Sequence, residues 1–365
     1  MMPDMRVDTS LAEVLRRIGV PALPEPDGGC FLTVVVRTQG TRPGPLGEAL
    51  NGLAQQTDLD FEVELVRHRA DEAGRRSVDD VLGGVPAWLQ QRIRMHDLDS
   101  GARGAPLNVG WGAARGAYVV VLDDDDLVMP HWVATFRDLS ERAPGRALRA
   151  AALLQRVEPV TDNGQVRASA LEEPHRHWPE RFEFLEHLLV NHTPCMSIAF
   201  PRTVFHDLGE RYDEALATTE DWDFLLRAVS WVGVVDSKEE TSVYRWWEAT
   251  ESSRHLHDDS AWQDNHRVVQ DRLDERVLLL PAGSVTTLRT MISAREQRIE
   301  ELLAERDREA ANARQLLEEA QDYLARLNET EQQLRKQRKK VSRLRARAES
   351  EQPTAKTGLW DKLRG

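Results

Sequence analysis

The chain reads as an α/β protein, a doubly wound and mostly parallel sheet followed by a long C-terminal α-helix. Three observations predict this. Short apolar, β-branched runs recur with helix-period segments between them, as strands covered on both faces require. Residues 284–352 contain no glycine or proline, and their apolar residues repeat at heptad spacing. At 365 residues, 41% apolar and 30% charged, the chain has material for one large domain or two ordinary ones.

Four segments follow in order. Residues 1–29 hold a short amphipathic helix (Leu11, Val14, Leu15, Ile18) and a linker, Pro21 to Gly29. Residues 30–282 form the α/β domain. Its first strand is Phe31-Leu32-Thr33-Val34-Val35-Val36, and a loop with Gly40, Pro43 and Gly44 comes next. Leu46, Leu50, Leu53 and Ala54 then fall at helical spacing, and Phe61 to Val66 is the second strand. Asn108 to Gly116 reads as a helix, and Ala117 to Leu122 as a third buried strand. This β-α-β-α-β order places ligands beyond the carboxyl ends of the strands, where the loops Arg37 to Arg42 and Asp123 to Asp126 lie.

Residues 283–352 form the third segment, a coiled coil. Val285, Ile292, Ile299, Leu327, Leu334 and Val341 share one heptad position, with Arg306 as the exception. Leu288, Leu302, Leu316 and Leu344 occupy the position three residues on, whereas Leu303, Leu317 and Leu324 mark a stutter. The seam favours a homo-oligomer or a docking partner. The end of this helix is basic (Arg335, Lys336, Arg338, Lys339, Lys340, Arg343, Arg345, Arg347), and residues 353–365 form a short tail with Leu359, Trp360 and Leu363. Basic and apolar groups together permit a peripheral contact with an anionic inner membrane surface.

Bulk properties exclude several classes. A formal net charge of −13 argues against nucleic acid as the partner. No apolar run approaches the roughly 18–20 residues a membrane span needs, and residues 1–20 lack the apolar core of a secretory signal. The two cysteines, Cys30 and Cys195, form no CxxC pair and read as free thiols of a cytoplasmic protein.

The run Asp123-Asp124-Asp125-Asp126 carries the chemistry. Four adjacent carboxylates after a buried strand raise one another's pKa unless a positive group neutralises them. A divalent cation, with diphosphate oxygens completing its shell, is one solution; a solvated helix start is the other. The stretch from Asn108 through Gly110-Trp111-Gly112, Arg115-Gly116-Ala117-Tyr118 and Val119-Val120-Val121-Leu122 into Asp123-Asp124-Asp125-Asp126 resembles the segment leading into the Asp-x-Asp motif of family 2 glycosyltransferases with the GT-A fold. Met129-Pro130-His131-Trp132 continues the likeness. A hundred or so residues on, Thr218-Thr219-Glu220-Asp221-Trp222 resembles that family's Glu-Asp motif, preceded by Leu208-Gly209-Glu210-Arg211-Tyr212-Asp213-Glu214 in place of its "GxFDE" turn.

The resemblance spans roughly residues 30–260 and implies an inverting, metal-dependent transfer from a nucleotide-diphosphate sugar to a hydroxyl of a glycan, lipid-linked or protein acceptor. It implies Asp221 as general base with Glu220 shaping the site. Donor contacts fall to Thr38, Gln39, Arg42, Asn108, Asp123 and Asp124. Asp125 and Asp123 would hold Mn²⁺ or Mg²⁺, with His255 or His257 completing the shell. Two positions depart from the pattern. The second strand runs into Arg67-His68-Arg69-Ala70-Asp71 where the family has an acid, so the donor nucleotide is open. Val243-Tyr244-Arg245-Trp246-Trp247 resembles its "VYRxH" strand with Trp247 in the histidine's place. The departures leave two other readings: a catalytically degenerate GT-A domain acting as a scaffold on the coiled coil, and nucleotidyl transfer.

Overall fold

The computed structural model describes residues 29–162, 165–248, 259–275, 278, 280 and 283–350. The expected N-terminal helix, His255, His257 and the tail from residue 353 lie outside these residues. The chain divides into two units, Met1–Thr287 and Leu288–Gly365.

The first unit is the expected mixed α/β architecture. Its elements are β1 (Leu32–Thr38), α1 (Pro43–Ala54), β2 (Phe61–His68), α2 (Glu72–Gly83), α3 (Ala87–Gln90), β3 (Ile93–Leu98), α4 (Gly104–Ala113) and β4 (Tyr118–Asp123). They continue as β5 (Leu127–Val128), α5 (Trp132–Arg142), β6 (Ala147–Asp162), β7 (Gln165–Ala170), β8 (His175–Arg176), α6 (Phe184–His187), β9 (Ile198–Pro201), α7 (Thr203–His206), α8 (Glu220–Val232), β10 (Val234–Trp247) and α9 (Asp259–Asp274). One sheet runs β3-β2-β1-β4-β9-β6-β10-β5. The pairs β1–β2, β1–β4, β2–β3 and β6–β10 are parallel, and β9 enters antiparallel between β4 and β6.

Side-chain alternation explains why these runs lie inside. Leu32, Val34 and Val36 of β1, with Val120 and Leu122 of β4, join α1 and α5 in one core. Val35, Val119 and Val121 point the other way and pack with α4, α7 and α8 in a second core. Trp111 anchors that second core. It is fully buried, and its ring lies within 5.2–6.3 Å of the rings of Phe200, Phe205, Tyr212 and Phe224.

Two elements differ from expectation. The helix expected over Asn108–Gly116 runs Gly104–Ala113, because Ala114 is already extended and Gly116 lies against β1. The strand β3 was not expected, since Ile93-Arg94-Met95-His96-Asp97-Leu98 is a partly exposed edge strand without a continuous apolar run. Buried charge on its neighbour is matched: Glu64 of β2 meets Arg94 and His96, while Glu62 receives Arg115 and the Thr33 hydroxyl.

The last helix, α10 (Ser284–Ser350), is 67 residues long. In the second unit Leu288, Ile292, Ile299, Leu302, Leu316, Leu334 and Val341 are all exposed. Among the described residues no helix is long and apolar enough to cross a membrane.

Gly116 is the joint between α4 and β4. A Cβ there would stand 2.6 Å from the Thr33 backbone nitrogen, and Gly116 N–H donates to Thr33 Oγ1 at 2.8 Å. Gly116→Ala must therefore push two backbones apart. It should lower stability by about 1–3 kcal/mol, read as a lower urea midpoint at unchanged slope.

Candidate active site

The site assembles where β1 and β4 end side by side. Arg37 and Asp123 are register partners in that parallel pair, so their side chains leave the sheet together. Arg37 Nε donates to Asp123 Oδ1 at 2.9 Å, and Nη1 donates to Glu220 Oε1 at 2.8 Å and to the Arg103 carbonyl at 3.0 Å. Arg103 Nε also donates to Glu220 Oε1, at 3.0 Å. Glu220 is 2% exposed, and two guanidiniums hold it as an anion. Burial would raise the Glu220 carboxyl, but Arg103 and Arg37 bring it below its ordinary range. Asp123 is likewise held low against burial, first by Arg37 and then by Arg103.

The four aspartates have four different environments. Asp124 accepts from Thr38 Oγ1 at 2.5 Å and from Arg42 Nη2 at 2.7 Å. Burial and the neighbouring Asp125 nevertheless push its carboxyl up to about 6. Asp125 is paired with the other arm of Arg42, whose guanidinium sits over the Trp247 ring, 5.5 Å from its centroid. Asp126 is 1% exposed; its Oδ1 accepts from Arg245 N–H at 2.9 Å, and its Oδ2 has no partner among the described residues. Burial, Asp125 and Asp123 together push the Asp126 carboxyl well up. Cys195, on the short turn Cys195–Ser197 before β9, places its thiol 3.5 Å from Asp123 Oδ2. Asp123, Asp126 and Cys195 each offer one ligand atom within 4.8 Å of the others.

The second half of the site is the start of α8. Thr219, which precedes the helix, has φ +63°, a left-handed backbone conformation that costs a β-branched residue of order 1–3 kcal/mol. That turn places Glu220 on Arg37 and Asp221 one residue further on. Asp221 Oδ2 accepts from Asn191 Nδ2 at 3.3 Å, and Oδ1 from Trp222 N–H at 2.8 Å. Burial and then the adjacent Glu220 raise its carboxyl to about 6. Asp221 borders a cavity of about 20 Å³ with Trp111, Val121, Thr193, Cys195 and Tyr212. This is room for one water molecule. The Asn191–Thr193 loop is held by His187, which shares a 2.8 Å hydrogen bond with Thr193 Oγ1 and whose carbonyl receives Trp222 Nε1 at 2.7 Å. Burial keeps the His187 ring neutral, down at about 4.

The residues expected at the site are thus found in different situations. Thr38, Arg42, Asp123, Asp124, Asp125, Glu220 and Asp221 converge. Gln39 is exposed at the end of β1. Asn108 faces the Tyr212 loop, accepting from Tyr212 N–H at 2.9 Å and donating to the Tyr212 carbonyl and Glu214. Arg67 is no open cation: it forks onto Asp97 at 2.7 and 2.8 Å and reaches Asp79 at 2.9 Å, stapling β2 to β3 and α2. Asp71 caps α2 through Gly74 N–H. His68 meets the Gly101 carbonyl at 3.2 Å.

Sequence alone gives Arg37, Arg103, Asn191 and Cys195 no role at the site. The signal available for Arg37 is a charged residue near the end of a mostly apolar strand, opening the loop where ligands are expected.

The chain is 24% identical over 201 residues, 55% of its length, to a Methanocaldococcus jannaschii protein named "uncharacterized glycosyltransferase MJ1057". Among solved structures, S. aureus TarS 1-349 in complex with UDP-GlcNAc is similar at TM-score 0.49 and 17% identity, covering 66% of this chain and 65% of that one. Its complex with UDP gives 0.46 and 18%, covering 66% and 64%. The match spans 65% of the archaeal protein's length. No family model matches the chain.

Arg37→Met would strip Asp123 of its ion-pair partner and leave the buried Glu220 with Arg103 alone. It should cost about 3–5 kcal/mol at neutral pH, read by urea unfolding. Asp123 and Glu220 titrate below their unfolded values, so the pairing contributes fully above about pH 5 and is lost as pH falls through the lowered folded values. The gap between variant and parent should therefore narrow towards about pH 3.

Proposed function

We propose that this chain is a glycosyltransferase that moves a sugar from a nucleotide-diphosphate donor to an acceptor hydroxyl with inversion. One observation carries the reading. The acidic turn after β4 and the raised-pKa carboxyl of Asp221, distant in sequence, meet through the buried Arg37–Glu220 pair. The 24% identity with a protein named as a glycosyltransferase supports it.

Each group has a task in this reading. Thr38 and Asp123 lie at the strand ends and Arg42 in the loop after β1, where the donor's ribose and diphosphate would rest. Asp221 takes the proton of the acceptor hydroxyl as that oxygen attacks the anomeric carbon. Glu220 is a positioning residue, since Arg37 and Arg103 occupy its carboxylate. Among the described residues, the ion pairs to these six carboxyls (Asp123 to Asp126, Glu220, Asp221) come from Arg37, Arg42 and Arg103, so the charge balance leaves room for a divalent cation. The unpartnered Asp126 Oδ2 fits such an ion, with Asp123 beside it. Asp125 enters the shell only if Arg42 releases it. When bound, the ion would stabilise charge growing on the departing diphosphate.

The acceptor is a hydroxyl of a glycan, lipid-linked or protein molecule. The exposed heptad seam of α10 fits a second copy of the same helix, which makes the enzyme a homo-oligomer. Arg42 bridging Asp124 and Asp125, with Trp247 where a histidine was expected, favours the scaffold reading instead. Metal-dependent turnover of any member of a sugar-nucleotide panel separates the two. No turnover and no donor binding would leave the scaffold.

Asp221→Asn should lower transfer by about 10²–10⁴-fold while calorimetry shows donor affinity largely retained. Loss of donor binding would contradict the assigned role. Asp221 works only when ionised, so the transfer rate should rise with pH through about 6 and then level. A profile flat down to the ordinary carboxylate range would exclude it as the base. Light scattering on the full chain should give a multiple of the monomer mass, and Leu302→Glu with Leu316→Glu should return the monomer.

A further inference from the structure

We infer that Cys195 is a ligand of the cation held by the acidic turn, making this a mixed carboxylate–thiolate site selective for thiophilic divalent ions of the zinc and cobalt class over magnesium. The inference rests on the cation-binding reading above and names a donor set that the aspartate motif alone does not contain.

Geometry singles out three atoms. Asp123 divides its oxygens: Oδ1 takes Arg37, and Oδ2 lies 3.5 Å from Cys195 Sγ. Asp126 divides its own likewise, with Oδ1 on Arg245 N–H and Oδ2 buried without a partner among the described residues. One ligand atom from each of Asp123, Asp126 and Cys195 falls within a 4.8 Å span. A carboxylate oxygen sealed from water and left unpaired is costly, and a cation between these three groups removes that cost.

All three donors are tied to the sheet. Asp123 ends β4, and Asp126 is pinned to β10 through Arg245. Cys195 begins the turn into β9, whose Ala199 and Phe200 pair with β4. Asp125, the other expected ligand, is committed to Arg42.

The sulfur decides the metal. Thiolates suit Zn²⁺ and Co²⁺, whereas Mg²⁺ takes oxygen ligands. Three protein ligands also leave a coordination position for a substrate oxygen, as catalytic zinc sites do. On binding, the Cys195 thiol gives its proton to solvent and its sulfur becomes the third ligand.

The test uses the full chain carrying Cys30→Ser, so that Cys195 is the sole thiol, with Co²⁺ as probe and no nucleotide present. A sulfur-to-cobalt charge-transfer band should grow to one equivalent and vanish in Cys195→Ser. Zn²⁺ should displace the cobalt, and a roughly hundredfold excess of Mg²⁺ should not. Independently, Zn²⁺ should slow labelling of Cys195 by a thiol reagent at least about tenfold, a readout that does not depend on the serine variant folding. Absence of the band, cobalt displaced by Mg²⁺, or labelling unchanged by Zn²⁺ would each overturn the inference. Any of these results alongside Mg²⁺-supported sugar transfer would reject the sulfur ligand and leave the transferase reading intact. A cobalt–sulfur site without turnover of any donor would do the reverse.

Discussion

Arg37 is the constraint on which the site depends. It is the penultimate residue of a mostly apolar strand, and its largely buried guanidinium links Asp123 of β4 with Glu220 of α8. Burying a guanidinium and two carboxylates is unfavourable unless every charge is paired at good geometry. The close fit of Arg37 between both acids, with Arg103 adding a second cation on Glu220, meets that condition. The start of α8 is thereby locked to the end of β4. Asp221, the next residue, gains its position from a neighbour that is itself fully occupied.

Around this pair, one sequence run acquires several roles. Asp123 faces Arg37 and Cys195, Asp124 and Asp125 share Arg42, and Asp126 turns inward beneath Arg245. Like residues in a row are thus held differently because burial and partners differ. Asp123 is held low, while Asp124 and Asp126 are pushed up. The strained Thr219 backbone is consistent with such a locked site, since a conformation this unfavourable persists only where surrounding contacts enforce it.

Much of the fold was legible in the chain because it follows from local pattern. Val34-Val35-Val36 and Val119-Val120-Val121 are apolar at successive positions, which only a strand covered on both faces satisfies. The long helix announced itself by the absence of Gly and Pro over 284–352 and by heptad spacing. The edge strand β3 did not, since Arg94 and His96 reach the buried Glu64 rather than forming an apolar face. The family resemblance pointed to the two acidic motifs, and it put Arg67 and His68 where that family has an acid. In the fold, Arg67 is consumed by Asp97 and Asp79.

The sequence by itself determined the α/β class, the C-terminal helix and the residues of the acidic turn and of the Glu220-Asp221 step, because hydrophobic period and short motifs are local properties. Tertiary structure alone decided which carboxylate meets which cation. Arg37 stands 86 positions from Asp123 and 183 from Glu220, and Cys195 stands 72 from Asp123. No periodicity encodes such separations. They are set by the parallel register of β1 with β4 and the antiparallel entry of β9, which bring distant strand ends to one edge of the sheet.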